Sequence, residues 1–342
     1  MGVNLKDLTI SHPISIKDLS GRILAVDSHN LLYQFVTTIR GSDGTPLQDR
    51  SGRITSHLQG IFSRTSHLLC AGIRFIFVFD GEPPSLKHAE LLRRKELKHE
   101  AEALFHTAQE AGDTASMRKY AGRFVRLTPE MIDEAKTLVQ ALGQPVVAAP
   151  SEGEAQMAQL VRGKHAYAGI SQDYDSLLYR ANRLVRNLSI QGKHKLPGKP
   201  GWRTVDIELL DHAENLSHLG ITDSQLLCLA ILVGTDYNPG GIKGIGPKKA
   251  LELVKAHQDP EHLFRTIGFD AKSPVPWKAV WETFTAMPVT TEHHLQWTGI
   301  DEAGLRQLLI KEHDFSHDRV EGAITNLLEH APSNLQRSLG DF

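Results

Sequence analysis

The chain has 342 residues, 40% of them apolar and 23% charged, ordinary proportions for a soluble globular protein of one large or two small domains. Its 38 basic and 40 acidic side chains leave a net charge of −2, so bulk charge does not mark it as a nucleic-acid binder. Two cysteines exclude a disulfide framework, and no apolar run reaches spanning length, so no membrane partner is expected. Both Cys70 and Cys228 lie in apolar stretches and are expected as buried free thiols in a reducing compartment.

In chain order, the first predicted element is Arg22–Val26, RILAV, a short apolar run that reads as a buried parallel strand and ends at Asp27. Ser56–Ala71 reads as a helix. Ile73–Phe79, IRFIFVF, is a second buried strand and runs directly into Asp80. Ser85–Arg126 differs: it is helix-forming, interrupted near Gly112, and carries charge all around. Such a helix is solvent-bridging or conditional on a partner. Thr128-Pro129-Glu130 starts a helix with a capping Thr and Pro at its first position, ending at Leu142 before Gly143.

Pro145–Ala149 is then a short strand, and a helix follows from Glu154. Ser151 and Glu154 have capping-box spacing, which taken alone explains that pair without any chemistry. Ala166–Ile170 is the next strand, followed by Asp173 and Asp175, which point to one side if the chain is extended there. Residues 176–205 lack Asp and Glu but hold Arg180, Arg183, Arg186, Lys193, Lys195, Lys199 and Arg203, expected as a basic hairpin. Thr222–Val233 reads as an apolar helix with Thr222 and Gln225 as its capping box, and Asp236 follows. A glycine turn, Gly240 to Gly246, opens a helix from Pro247 to about His257; residues 258–330 read as short helices and loops. Alternating strands and helices give an α/β fold with a mostly parallel central sheet flanked by helices.

Asp27, Asp80, Glu152, Glu154, Asp173, Asp175 and Asp236 fall in five separated segments, at least four of them after an apolar run. Chains leave a parallel sheet at one edge, and that edge binds ligands. So many acids at one edge repel unless cations lie between them, and carboxylates are hard ligands for Mg²⁺ or Mn²⁺. The pattern points to a metal-dependent enzyme acting on an anion, most simply a phosphodiester, with two ions about 4 Å apart clamping the attacking and leaving oxygens. Separately, Gly244 and Gly246 allow backbone amides to approach a phosphate at the start of the Pro247 helix, with Lys243, Lys248 and Lys249 supplying charge. That is a helix–hairpin–helix type of grip on duplex backbone.

VFDGEPP, APSEGEA, SQDYDSLL and GTDYNPGGIKGIGPKKA together resemble the XPG-type structure-specific 5′ nuclease family, specifically its flap endonucleases, and most of all the archaeal ones. The resemblance implies a PIN-like 5′ nuclease fold with a helical arch and a helix–two-turn–helix element. It implies a first nuclease region over 1–105, the rest of the arch and a connecting helix over 106–142, and an internal nuclease region over 143–220. The helix–two-turn–helix would span 221–257, a C-terminal region packed on the core 258–330, and a clamp-binding tail 331–342. It implies two Mg²⁺ per site, replaceable by Mn²⁺. Asp27, Asp80, Glu152 and Glu154 would hold one; Asp173 and Asp175 the second, with Glu154 shared and Asp236 acting through water. Lys87 and Arg94 match basic arch residues that contact the scissile phosphate, Tyr33 an aromatic that stacks on a terminal base, and Arg40 part of the adjoining wedge. Arg319, with His313 to Ser316, matches part of a 3′-flap region, although His313 stands where eukaryotic members carry a basic residue.

The implied substrate is branched DNA with a 5′ flap, cut in replication and base excision repair by a monomeric endonuclease with 5′–3′ exonuclease activity. Gln336, Leu339 and Phe342 resemble a peptide that binds a sliding clamp (PCNA), although the chain stops at the first of the motif's two aromatics. No basic extension follows, which suggests a cytoplasmic, archaeal-type protein; a nuclear location would follow only in a eukaryote. The alternatives are a related 5′ nuclease preferring nicked, gapped or four-way junctions, and a catalytically silent DNA-binding scaffold. A haloacid-dehalogenase-like phosphatase is disfavoured because Asp27-Ser28-His29 lacks a second Asp two residues on.

Overall fold

The computed structural model describes residues 3–41, 44–189, 192–195 and 202–330. Its strands are β1 (His12–Ile14), β2 (Ile23–Asp27), β3 (Arg74–Phe79), β4 (Val146–Ala148), β5 (Ala168–Ile170), β6 (Arg183–Arg186), β7 (Gly192–Lys195), β8 (Trp202–Val205) and β9 (Ile207–Asp211). Seven form one sheet in the order β1-β9-β6-β5-β2-β3-β4; β7 and β8 pair separately as an antiparallel hairpin. β2 to β6 run parallel, while β9 pairs antiparallel with both β6 and β1. The chain winds outward from β2 through β3 to β4, then crosses to β5 on the other side of β2. The ends of β2, β3 and β5 therefore flank the point where strand order reverses, the usual crevice of an open α/β sheet.

The helices that build this frame are α1 (Ser28–Thr38), α2 (Ser56–Cys70), α3 (His88–Glu110), α4 (Thr114–Ala121), α5 (Pro129–Ala141), α6 (Gly153–Arg162) and α7 (Asp175–Leu178). Alternate side chains of β2 and β3 serve the two faces of the sheet. Leu24, Val26, Phe75, Phe77 and Phe79 join the buried side chains of α1, α2 and α5 in one core. Ala25, Ile76 and Val78 face Met157, Leu160 and Val161 of α6. Burial on both faces explains why these strands are continuous apolar runs.

The remaining helices are α8 (His212–Leu219), α9 (Asp223–Val233), α10 (Pro247–Ala256), α11 (Pro260–Ile267), α12 (Trp277–Thr285), α13 (Glu302–Leu305) and α14 (His317–His330), with a π-helical turn at Arg306–Glu312. The Thr222/Gln225 capping box forms as expected. Leu226 to Leu232 of α9 are all buried, in a core shared with α7, α10, α11 and α12. An irregular strap then carries the chain back across the sheet. Trp297 donates its indole N–H to the Phe75 carbonyl at 3.1 Å, and the Thr298 and Asp301 amides bond to Gly143 and Ala141. α14 closes the molecule against α2.

The interrupted segment is α3 and α4, broken at Gly112 (φ +67°), with Asp113 capping α4. Only Glu90, Ala101, Phe105 and Ala108 of α3 are buried, and Leu91, Leu92, Leu97 and Leu104 are exposed. No single helix among the described residues is long and apolar enough to cross a membrane.

Several expectations are corrected. Ser151 does not form a box with Glu154; its hydroxyl donates to the Glu82 carbonyl at 2.7 Å, and α6 starts without a side-chain cap. The Asp173 to Asp175 stretch is not extended but turns into α7, with Asp175 as its first residue. Cys228 is buried, but Cys70 is only partly so. The basic run is not an unbroken positive surface: Arg180, Arg183 and Arg186 face Asp223, Asp211 and Glu208, acids that follow the run in sequence. β6 lies inside that run, and its charged ends hid the short apolar centre Leu184-Val185.

Candidate active site

Asp27 is the last residue of β2 and also the cap of α1, accepting the Asn30 amide at 3.1 Å. Asp80 follows β3 and accepts the Gly153 amide at 2.8 Å, which ties the start of α6 to the end of β3. Glu152 caps α6 with extended backbone and Glu154 lies in its first turn. The switch from extended to helical backbone between them lets both face one cavity, which two residues inside a helix could not do. Asp173 and Asp175 follow β5, and Asp236 follows α9 through Gly234, held at φ +110°. All seven carboxylates line one cavity of about 360 Å³ at the sheet's carboxyl edge.

Polar neighbours hold the acids apart. The Ser171 hydroxyl lies 3.2 Å from Asp27 Oδ2 and 3.1 Å from Glu154 Oε1. Asn30 Nδ2 donates to Asp173 Oδ2 at 2.9 Å, and the Val3 amide to Asp175 Oδ1 at 2.6 Å. His29 Nδ1 lies 3.5 Å from Asp80 Oδ2. None of these four partners was singled out from sequence; Ser171, His29 and Asn30 were visible as the polar neighbours of the acids in their own segments, whereas Val3 acts through its backbone and leaves no signal.

Burial, then the negative charge of Asp80, pushes Asp27 up to about 8. Burial raises Asp175 to about 7, with Asp173 adding to it. Glu154 is raised well above the usual carboxylate range by burial and by Asp175 and Asp27. Glu152 is raised by burial, against which Lys87 works. Hard oxygen donors that repel one another and are buried fit divalent cations, whose charge would relieve the repulsion. Among the described residues, no three His, Cys, Asp or Glu side chains already converge as a closed metal cage; the carboxylates stand around an open cavity.

Two cations reach in from the base of α3. Lys87 and Arg94 are seven residues apart, two helical turns, and so share a face. Lys87 Nζ donates to Glu152 Oε2 at 2.5 Å, and Arg94 Nη2 to Asp236 Oδ1 at 2.6 Å. Glu90, buried, accepts from Arg94 Nε at 2.7 Å and from Arg93. Tyr33, one turn beyond Asn30 on α1, lines the same cavity and lies under Lys98, with Nζ 5.0 Å from the ring centre. Tyr179 and Tyr237 join their hydroxyls at 2.7 Å on another wall.

The other sequence candidates do not line this cavity. Arg40 donates to the carbonyls of Thr37 and Gly44 and packs against Gly122, where a Cβ would meet its guanidinium at 2.1 Å. Lys243, Gly244, Gly246, Lys248 and Lys249 are exposed on the turn into α10; Gly244 has φ +84°, and Gly246 caps α10 without a side chain. Arg319 is exposed on α14, beside a cavity of about 500 Å³ that Asp314, Phe315 and Ser316 also line. His313 also lines that cavity but is almost wholly buried, with Nδ1 3.1 Å from Asp49 Oδ2. Gln336, Leu339 and Phe342 lie outside the described residues.

An XPG N-terminal domain model matches residues 3–101 and an XPG I-region model residues 143–236. The chain is 47% identical over 339 residues to flap endonuclease 1 of Thermococcus onnurineus, covering 99% of this chain and 98% of that one. It is 47% identical over 330 residues to flap endonuclease 1 of Hyperthermus butylicus, covering 96% and 94%. The solved flap endonuclease-1 from Methanococcus jannaschii superposes with a TM-score of 0.76 at 39% identity, covering 96% of this chain and 99% of that one. The catalytic core of Rad2, solved with a DNA substrate, shares the fold at 22% identity, with a TM-score of 0.68 and coverage of 96% and 100%.

Proposed function

The chain belongs to the XPG family of nucleases, among its flap endonucleases, and from that membership we propose how its own residues carry out structure-specific cleavage of 5′-flapped DNA in replication and repair. The observation that carries this reading is the convergence of seven carboxylates and two arch cations on one cavity at the sheet's carboxyl edge.

Two Mg²⁺ ions, or Mn²⁺ in their place, would be held by Asp27, Asp80, Glu152, Glu154, Asp173, Asp175 and Asp236. When bound, such ions lower the pKa of water and neutralise phosphate charge. Ser171 and Asn30 orient three of the ligands, as hydrogen-bonded neighbours do in metal sites generally. Lys87 and Arg94, now bonded to Glu152 and Asp236, turn to the scissile phosphate and stabilise its developing charge. Tyr33 stacks on the base at the junction. The 5′ single strand passes beneath α3 and α4, whose sparse core contacts suit an element that orders around its substrate. Lys243, Lys248, Lys249 and the open amides at the start of α10 grip the duplex backbone without reading sequence. Arg40 and Arg319 serve the junction and the 3′ flap. The protein works as a monomer, recruited to a sliding clamp through Gln336, Leu339 and Phe342.

The test is cleavage of an end-labelled double-flap DNA in Mg²⁺, beside Asp175→Ala and beside EDTA. A single incision at the junction that both controls abolish is the expected outcome. Binding without incision in Mg²⁺ and in Mn²⁺ would leave a DNA-binding scaffold instead.

A further inference from the structure

Behind the catalytic cavity lies a second one of about 310 Å³, with Tyr179 lining both. Its walls combine two kinds of surface. Leu178, Leu227, Trp281, Phe284, Met287 and Val289 make an apolar side. Arg162, Arg180 and Ser224, with the carboxylate of Asp223 and the Thr285 hydroxyl beside them, make a polar side.

Among the described residues Arg162 has no acid partner, and Arg180 shares its one acid with a histidine. Arg162 donates to the Tyr179 carbonyl and, at 2.7 Å, to Gln159 Oε1, both neutral. Burial and the like charge of Arg180 both lower its pKa. Arg180 lies 3.9 Å from Asp223 Oδ1, a loose contact, and that same oxygen is taken by His212 Nε2 at 2.6 Å. Arg180 also has φ +60°. The left-handed region strains a residue that carries a Cβ, and such strain is found most often where function requires it. Ser224 is the second residue of α9, an 11-residue helix whose Thr222 cap serves the Gln225 amide. The Thr222 side chain leaves the amides of Asp223 and Ser224 uncapped at the helix's positive end, and both residues line the cavity.

We propose that this cavity binds a nucleoside monophosphate, with the phosphate between Arg162, Arg180 and the start of α9 and the base against Trp281. Paired guanidiniums match a phosphate monoester in charge and in donor geometry. An aromatic wall adds stacking, which inorganic phosphate cannot use. The volume suits one small ligand, not a strand. A 5′ exonuclease releases such monophosphates, but the chemistry of the site does not depend on that reaction.

The full-length protein is titrated in EDTA with deoxyadenosine 5′-monophosphate, following tryptophan fluorescence and heat. No cleavage is involved, so failure here leaves the nuclease reading untouched. Saturable binding is expected, weakened about tenfold or more in Arg162→Ala/Arg180→Ala, the loss of charged hydrogen bonds of that strength. Arg180→Gly removes the left-handed strain, so it folds, and it is expected to weaken binding as well. Lys87→Ala/Arg94→Ala binds as the parent does. Absence of saturation up to about 10 mM, equal affinity in the Arg162/Arg180 variant, or equal affinity for inorganic phosphate would each overturn the proposal. So would displacement of the nucleotide by an oligonucleotide lacking a terminal phosphate, which would assign the site to strand phosphodiesters.

Discussion

The two walls of the catalytic cavity are built in opposite ways. The acids hang from the sheet and the helices packed around it: Asp27 ends a strand whose Leu24, Ala25 and Val26 are buried, Asp175 starts α7, and Glu154 lies in the first turn of α6, both helices largely buried. The cations come from α3, most of whose residues face solvent. Rigid elements hold like charges at fixed separation against their repulsion. The arch supplies opposite charge and is tied down partly by those acids, through Lys87 to Glu152 and Arg94 to Asp236. The same contacts thus neutralise the cavity and anchor the arch, and cations entering the cavity would compete for them.

Removing one acid tests the rigid wall. Asp27→Asn keeps an acceptor for the Asn30 amide, so α1 stays capped, but it removes a charge that burial already disfavours. Cleavage of a flap substrate is expected to fall about 10³-fold or more, while the metal-free protein melts at a higher temperature than the parent. Stability lost together with activity would mean that Asp27 acts through α1 and not through the cavity's charge. Arg94→Ala tests the solvent-exposed wall. The expected loss of single-turnover rate is about 10²-fold, the scale of losing one donor to a charged transition state. With Asp236 and Glu90 both deprived of a partner, limited proteolysis should cut faster within α3. An unchanged proteolytic rate would show that Arg94 does not anchor the arch, leaving Lys87 and the packing of Phe105 to hold it.

The same contrast explains what the sequence made legible. β2, β3 and α9 are buried on every side, so they appear as unbroken apolar runs, and the acids at their ends stand out by position. The break at Gly112 and the boxed start of α9 were readable because a glycine and a cap each impose local geometry. β1, β6 and β9 escaped the sequence reading: they lie towards the antiparallel edge and mix charged or polar residues with apolar ones, so no unbroken apolar run marks them. Ser151 misled because its spacing to Glu154 is that of a cap, and only the fold brings the Glu82 carbonyl within reach. Arg183 and Arg186 looked like free surface charge because Asp211 and Glu208 are more than twenty residues away in sequence. The roles of Ser171, Asn30 and the Val3 amide depend on distances between segments, which no spacing encodes.

The repelling acids also give the metal-free protein a pH dependence. In the unfolded chain such carboxylates ionise near about pH 4. In the folded protein Asp27 and Asp175 are raised to about 8 and about 7, and Glu154 and Glu152 are raised as well. From about pH 4 to about pH 8 the folded state therefore holds more protons than the unfolded one, and stability falls as pH rises. Melting in EDTA across that window should show a steady decline. Saturating Mg²⁺ should flatten it, because bound cations replace the protons. A melting temperature in EDTA that rises with pH would contradict the raised carboxylates.

The smallest effect expected lies away from the cavity, in α9. Thr222 accepts the Gln225 amide while Gln225 Oε1 reaches back to the Thr222 amide at 3.0 Å. Thr222→Ala removes the cap at a cost of about 1 kcal/mol, a shift of about 2 °C in melting temperature for a chain of this size. Because Leu226 to Leu232 are buried among four other helices, tertiary packing keeps α9 helical, and Asp236 at its far end stays in place. Cleavage should therefore be unchanged at temperatures well below melting. A loss of activity larger than the loss of stability would show that the start of α9 is coupled to Asp236 along the helix, and that this wall of the cavity is less rigid than its burial implies.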